Sequence, residues 1–308
     1  MPWLPEAIDS LLAQTTPAFD ILVVAAASCD GSTEYLHNLH DPRLRVVAQR
    51  NAGLTAALNQ LIEETRTPWL ARMDADDVSY PARIATLRAA IESHPNAGLF
   101  YSLADYHPRS RCAGRFRCSR GSAEELRSLV QRGYLLSFCI STVLLNVEKV
   151  RAAGGYRPGI RAEDADLWWR MARQYEVYYI PEALVGFRQH AQSLSADDTA
   201  REELAGLYVQ YLLLSNLWGL QPLPFSHIEH TLAGLLRPSA VRAKDRLRQF
   251  NMHLAEGQKT RGLLQLARAL CASPGYVLRR LRDELRPKAI TNGLDPGLFW
   301  ERKDVLWA

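Results

Sequence analysis

Apolar runs of strand length alternate with amphipathic segments of helical length through the first third of the chain. The apolar run at 19–27, interrupted only by Asp20, is typical of a strand that is buried on both faces, and a further strand is predicted over 97–103. Shorter strands are predicted over 44–48 and 68–73, and the intervening segments carry apolar residues at helical spacing. This alternation predicts an α/β fold, with a mostly parallel sheet covered by helices on both faces.

Beyond residue 103 the pattern is less regular, and the predictions rest on local signals. Ser122 and Glu125 have the spacing of a capping box, which predicts a helix over 122–132. Apolar runs predict strands over 138–145, 177–180 and 183–188.

Three carboxylates, those of Asp74, Asp76 and Asp77, follow the strand predicted over 68–73. Charges this close repel one another unless a cation or a phosphate-bearing ligand offsets them. In open α/β sheets, ligands bind outside the carboxyl ends of the strands, which is where this cluster is expected to lie. The sequence therefore predicts a metal site there, and carboxylate oxygens suit a hard divalent cation.

A second acidic group, formed by Glu163, Asp164 and Asp166, begins a predicted helix after a loop that contains glycine. Carboxylates in a first helical turn interact well with the free backbone donors and the helix dipole. On their own, these residues therefore leave two interpretations open, compensation of the dipole and a second half of the acidic site.

From Ala200 to about residue 286 the pattern is helical, so we predict an α/β domain over 1–198 and a helical region over 199–308. Between residues 237 and 303 there are fifteen Lys and Arg but only six Asp and Glu. The basic amphipathic segment 277–286 fits peripheral contact with an anionic membrane surface, although a solvated basic face is the commoner explanation.

Composition excludes several classes of protein. No apolar segment is long enough to span a bilayer and no signal peptide is predicted. The five scattered cysteines lack the spacing of a zinc site and fit reduced thiols in the cytoplasm, with the inner membrane face as a further expected location. The basic C-terminal region has no aromatic interleaving or recognised motif, so nucleic-acid binding is not expected.

Four blocks of the chain have the order and spacing of a known family. They lie at 4–14, 50–53, 72–77 and 163–168. The segment 187–190, followed by Ser193, matches what the family pattern has after the last block. With these blocks, the chain resembles glycosyltransferase family 2 over residues 3–196. The resemblance implies a GT-A (Rossmann-like) fold and inverting transfer from a nucleotide-sugar donor, such as a UDP-linked sugar. It also implies a divalent cation (Mn or Mg), a glycan or lipid-linked acceptor, and a role in polysaccharide biosynthesis.

The resemblance also implies roles for individual residues. Within its DXD motif, Asp76 is the expected direct metal ligand. Asp74 is expected at the ribose or a metal-bound water, with Asp77 in support. His190 is expected to approach the metal or the diphosphate.

The other roles concern catalysis and the donor. Asp164 is the expected general base and Glu163 the residue that holds the acceptor. The residues expected to bind the nucleotide sugar, besides Asp74, are Arg72, Asn51, Gly53 and Asp30.

Two departures from the family pattern affect the donor site. Only Met1, Pro2 and Trp3 precede the first helix, where the family has an apolar strand, and Ala25 and Ala26 stand where it has aspartates. Losing a charge-assisted hydrogen bond to the nucleobase weakens binding by about 1.5 to 3 kcal/mol. A non-catalytic family member that binds a partner or glycan is therefore the alternative. A nucleotidyltransferase is disfavoured because no Gly-rich phosphate loop follows a first strand.

Overall fold

The computed structural model describes residues 2–25, 30–50, 53–108, 110, 114–190, 198–285 and 290–308. Its strands are β1 (Ile21–Ala25), β2 (Leu44–Ala48), β3 (Trp69–Ala71), β4 (Val78–Ser79), β5 (Leu99–His107), β6 (Leu144–Asn146) and β7 (Val177–Arg188). The helices among them are α1 (Leu4–Leu12), α2 (Ser32–Asn38), α3 (Leu54–Glu64), α4 (Arg83–Ser93), α5 (Ala123–Gln131), α6 (Val147–Ala152) and α7 (Glu163–Gln174). The C-terminal helices are α8 (Thr199–Trp218), α9 (Phe225–Ala233), α10 (Pro238–Ala255), α11 (Lys259–Ala272), α12 (Pro274–Leu285), α13 (Pro296–Trp300) and α14 (Lys303–Leu306).

The strands form two sheets. Strands β1 and β2 pair in parallel, and the second sheet has the order β3-β6-β5-β7-β4. Within it β5 and β7 are parallel, whereas β6 runs antiparallel to both β3 and β5, and β4 runs antiparallel to β7. The predicted α/β class with C-terminal helices is confirmed, but the sheet is mixed rather than mostly parallel. Strand β3 lies within the strand predicted over 68–73, and β6 overlaps the one predicted over 138–145, but an apolar pattern does not give strand direction. Strand β4 has two residues, which is too short for periodicity to reveal it.

The structure corrects two predicted strand segments and confirms the predicted capping box. The segment predicted as a strand over 138–145 contains a 3-10 turn (Ile140–Thr142), and only β6 follows it as a strand. The two strands predicted over 177–180 and 183–188 are one strand, β7, whose register against β5 shifts around Leu103. The capping box is confirmed, because Ser122 Oγ accepts from the Glu125 N–H at 3.2 Å and the Glu125 carboxylate accepts from the Ser122 N–H at 2.8 Å.

One apolar cluster connects the sheet to the C-terminal helices. It includes Tyr101 of β5, Trp168 of α7 and Tyr211 of α8, all at most 2% exposed. Phe299 of α13 is part of the same cluster. Helix α8 therefore packs on the helix that begins with the second acidic group, and the domain boundary at residue 198 stays a prediction.

Helix α1 is attached to the strand that follows the first acidic group. Gln14 Nε2 donates to Ser79 Oγ at 3.1 Å and to the Tyr80 carbonyl at 3.0 Å. The Ser79 N–H donates to Ser10 Oγ at 2.9 Å. These bonds place α1 beside the loop that carries Asp74, Asp76 and Asp77.

No helix in the described part of the chain combines the length and the apolar character that a membrane crossing requires.

Candidate active site

The loop between β3 and β4 brings three carboxylates together. Asp74, Asp76 and Asp77 each offer an oxygen, and these oxygens lie within 4.8 Å of one another. Asp77 is buried at 1% exposed, whereas Asp74 and Asp76 are partly exposed. Burial, reinforced by the charge of Asp74, raises the pKa of Asp77 to about 7. An oxygen-rich donor set of this kind fits a hard divalent cation.

The end of β7 meets this loop from the other side. His190 Nε2 lies 2.8 Å from Asp76 Oδ2. The Arg188 N–H donates to Asp77 Oδ1 at 2.8 Å, and Arg188 Nε donates to the Asp76 carbonyl at 2.8 Å. The ring of Trp3, at the start of α1, stacks on the His190 ring with centroids 3.7 Å apart. His190 therefore lies beside the carboxylate that the sequence favours as the direct metal ligand.

A buried arginine, Arg83, hydrogen-bonds to the backbone next to the acidic loop. Its Nη2 donates to the carbonyls of Arg72 and Ser141, each at 2.7 Å. Ser141 Oγ in turn accepts from the Asp74 N–H at 2.9 Å. Burial lowers the pKa of Arg83 to about 10. Sequence reasoning missed Arg83 and Ser141, because nothing in their local pattern distinguishes them from other residues of α4 and the 3-10 turn.

Glu163 and Asp164 begin helix α7 at the second acidic group. Burial, with the charge of Asp164 as the next cause, raises the pKa of Glu163 to about 7. Burial also raises the pKa of Asp164, whose Oδ1 accepts from the Ala165 N–H at 2.7 Å. Both carboxyl groups therefore hold protons more tightly than ordinary surface carboxyls do.

Arg72 interacts electrostatically with both acidic groups. Its side chain is buried, and Nη1 lies 2.9 Å from Asp74 Oδ1. Burial acts to lower its pKa, but the charges of Asp74, Asp164 and Glu163 outweigh burial and raise it. Carboxylates of both acidic groups thus act on one buried guanidinium.

Tyr156 is a further member of this group that sequence reasoning missed. Its ring is buried, and its hydroxyl has no hydrogen-bond partner among the residues that the structure describes. Burial raises its pKa, and Arg72, Asp164 and Glu163 are close enough to influence it. Tyr156 follows two glycines in a loop, and nothing in that local sequence indicates that it lies near Arg72 and the acidic residues.

Asp166, the third acidic residue at the start of α7, is paired with arginines of its own neighbourhood. It is fully buried and accepts from Arg157 Nε at 2.8 Å and Arg170 Nε at 3.0 Å. Trp169 Nε1 donates to it at 3.2 Å. Of the three acidic residues in the first turn of α7, Asp166 therefore anchors the helix, while Glu163 and Asp164 lie with Arg72.

Among the residues predicted to bind the nucleotide, Gly53 and Asp30 lie at the starts of helices. Gly53 has a φ of +98°, and a Cβ there would meet nothing within 4 Å, so the turn rather than a close approach requires glycine. Asp30 Oδ1 accepts from the Ser32 N–H at 3.0 Å at the start of α2. Asn51, Ala26 and Ser193 lie outside the described residues. Strand β1 ends at Ala25.

Helix α8 also reaches this region. Arg161 Nε, two residues before Glu163, lies 2.7 Å from Glu202 Oε1. The charge of Glu202 contributes to the raised pKa values of both Glu163 and Asp164. The C-terminal region thus contributes to the electrostatics of the site.

Comparisons with known proteins agree with the predicted family and fold. The family model "Glycosyl transferase family 2" matches residues 2–131. The amylovoran biosynthesis glycosyltransferase AmsE of Erwinia amylovora is 28% identical over 194 residues, which are 60% of this chain and 70% of AmsE.

Two solved structures have a similar fold. TarS of S. aureus, solved with UDP-GlcNAc, has a TM-score of 0.55 and 11% identity over 89% of this chain and 78% of that one. The mannosyltransferase PcManGT of Pyrobaculum calidifontis, solved with GDP-Man and Mn2+, has a TM-score of 0.51 and 16% identity over 92% and 76% of the two chains. The GT-A fold is therefore confirmed, and the family-model match over residues 2–131 supports the family that the motifs predict, glycosyltransferase family 2.

Proposed function

We propose that this chain is an inverting, metal-assisted glycosyltransferase that moves a sugar from a nucleotide-diphosphate donor to a hydroxyl of a glycan or lipid-linked acceptor. One observation carries the proposal: two acidic groups some 90 residues apart in sequence lie around the same buried guanidinium, that of Arg72. The bound UDP-GlcNAc of TarS, the GDP-Man and Mn2+ of PcManGT, and the amylovoran biosynthesis of AmsE support the choice of substrates.

Asp74 and Asp76 are the residues that hold the divalent cation in this proposal, with Asp77 buried behind them and His190 beside Asp76. When bound, such a cation neutralises the charge that develops on the departing diphosphate. Arg83 and Ser141 fix the backbone of the loop, so that the carboxylates are positioned before any ligand arrives.

Asp164 is the proposed general base. It takes the proton of the acceptor hydroxyl as that oxygen bonds to the anomeric carbon and the bond from that carbon to the diphosphate oxygen breaks on the opposite side. This single displacement inverts the anomeric configuration. A raised pKa makes an ionised carboxylate a stronger base, and burial raises the pKa of Asp164. Glu163 holds the acceptor beside it.

Calorimetric titration with UDP and GDP, with and without Mn2+, tests the donor and metal part of the proposal. We expect binding that depends on Mn2+ and is lost in Asp76→Ala, but kept in Glu92→Ala, which removes an exposed carboxylate from α4. Absence of binding by either nucleotide at millimolar concentration would contradict the proposal. That result would favour the non-catalytic alternative, which the alanine at the end of β1 supports.

The base is tested separately with Asp164→Asn. We expect the variant to bind the donor normally but to lose about two to four decades of transfer rate, because proton transfer from the acceptor is lost. A rate close to that of the unchanged protein would assign the base to another residue.

A further inference from the structure

Helices α10 to α12 carry the positive charge of the chain. Between residues 238 and 285 there are ten Lys and Arg and four Asp and Glu, whereas the net charge of all 308 residues is only +4. Helix α11 contains Lys259, Arg261 and Arg268, all exposed, and no acidic residue. A concentrated positive field of this kind attracts anionic surfaces.

The outer side of α11 and α12 is also apolar. Leu278 and Leu281 of α12 are 61% and 56% exposed, and Leu263 of α11 is 60% exposed. Residues three apart on a helix share a face, so Leu278 and Leu281 are neighbours, with the exposed Arg279 and Arg282 beside them. Single exposed leucines need no explanation, but a row of them flanked by arginines is typical of a helix that lies in a membrane interface.

A cluster of arginines lies on the inner side of α12. Arg117, Arg120 and Arg280 line a small cavity together with Asp283. Arg117 Nη2 lies 3.2 Å from Asp283 Oδ2, which is the single carboxylate in this lining. Among the residues described by the structure, the Nε groups of Arg117 and Arg120 have no hydrogen-bond acceptor.

The charge in this cavity is only partly balanced. Burial, and then the neighbouring charge of Arg280, lower the pKa of Arg117, while Asp283 acts in the opposite direction. Three guanidinium groups around one carboxylate leave a net positive charge here, which adds to the positive field of the neighbouring helices.

We propose that the α11–α12 face docks on an anionic phospholipid membrane. This face consists of Leu263, Leu264, Leu270, Leu278 and Leu281 with the exposed Arg279 and Arg282. The leucines enter the interface, and the arginines beside them attract the anionic headgroups. A second copy of the chain would bring the same positive charge against itself, so charge complementarity favours the lipid surface. The docking is independent of the proposed sugar transfer.

Vesicle flotation of the full chain tests the proposal. We expect binding to vesicles that contain phosphatidylglycerol, little binding to vesicles of phosphatidylcholine alone, and weakening as NaCl is raised. Leu278→Ser/Leu281→Ser is expected to weaken binding by at least about tenfold, because two apolar side chains no longer enter the interface. Arg279→Gln/Arg282→Gln is expected to weaken it to a similar extent.

The matched control is Leu54→Ser/Val305→Ser, which removes exposed apolar side chains of α3 and α14 and is expected to bind like the unchanged protein. Equal loss in this control would overturn the proposal, as would failure to bind phosphatidylglycerol vesicles. Two other results would also overturn it. One is dimerisation in solution that Leu278→Ser/Leu281→Ser abolishes without vesicle binding. The other is release from vesicles by inorganic phosphate but not by NaCl of equal ionic strength, which would identify a site for free anions.

Discussion

His190 Nε2 lies 2.8 Å from Asp76 Oδ2 although 114 residues separate them in sequence, and the Trp3 ring stacks on the imidazole. The contact joins the end of β7 to the acidic loop. In the proposed metal site, His190 therefore either acts as a ligand beside Asp76 or orients that carboxylate toward the cation.

Replacing His190 tests this pairing. His190→Phe keeps a ring against Trp3 but removes the nitrogen beside Asp76, so we expect Mn2+-dependent nucleotide binding to weaken by about 10- to 100-fold. Calorimetric titration measures the change. Trp3→Phe keeps the imidazole and is expected to have a smaller effect. Unchanged affinity in His190→Phe would limit the histidine to a packing role.

Glu163 is expected to make the stability of the fold depend on pH. Its pKa is about 7 in the folded chain, against an ordinary value of 4.5. Between these values the folded state binds more protons than the unfolded state, so stability falls as pH rises. The buried carboxylate thus costs about 3 kcal/mol above pH 7.

Glu163→Gln removes this titration. We expect the variant to resemble the unchanged protein at pH 4 and to be more stable at pH 8, as measured by urea unfolding. Comparing the two proteins at each pH cancels the contributions of other carboxyls, and Glu92→Gln provides an exposed control. A difference that is the same at both pH values would contradict the raised pKa.

Arg83 is expected to be needed for stability. Arg83→Met leaves the carbonyls of Arg72 and Ser141 without their donor, and we expect a loss of about 2 to 4 kcal/mol. Urea unfolding measures it. Arg88→Met changes an exposed arginine of the same helix and is expected to alter stability by no more than about 0.5 kcal/mol. Similar losses in both variants would argue against the role of the two carbonyl contacts.

Two glycines allow backbone strain to be separated from crowding. Gly133 and Gly154 both have a φ of +85°, but a Cβ at Gly133 would lie 2.4 Å from Leu214 Cδ2 of α8, whereas one at Gly154 would meet nothing within 4 Å. Gly154→Ala is expected to lose about 1 to 2 kcal/mol from the left-handed backbone alone. Gly133→Ala is expected to lose about 1 to 3 kcal/mol more from overpacking.

The comparison is made by urea unfolding of the two variants. Equal losses would mean that the Leu214 side chain moves away at no cost and that α5 and α8 are loosely packed.

Local signals accounted for much of the fold. The capping box of Ser122 and Glu125, the strand β2 and the helix that begins with Glu163 were predicted from neighbouring residues alone, because their determinants lie within a few positions. The mixed sheet was not predicted. The antiparallel direction of β3 and β6 is set by partners far away in sequence. Strand β4 has only two residues and shows no period.

The same division applies to the site. The acidic residues of the loop and of α7 are recognisable because they interrupt apolar patterns with charge. Arg83, Ser141 and Tyr156 were missed because their importance comes from contacts such as that of Arg83 with the Ser141 carbonyl, 58 residues away. A single sequence contains no trace of such pairings.

The contact between Arg161 and Glu202 brings a charge of the C-terminal helices close to the second acidic group. Glu202 is part of α8, yet its charge makes Glu163 and Asp164 harder to ionise. Neutralising this one carboxylate of α8 would therefore lower the pKa of the proposed base without altering any residue of the acidic loop.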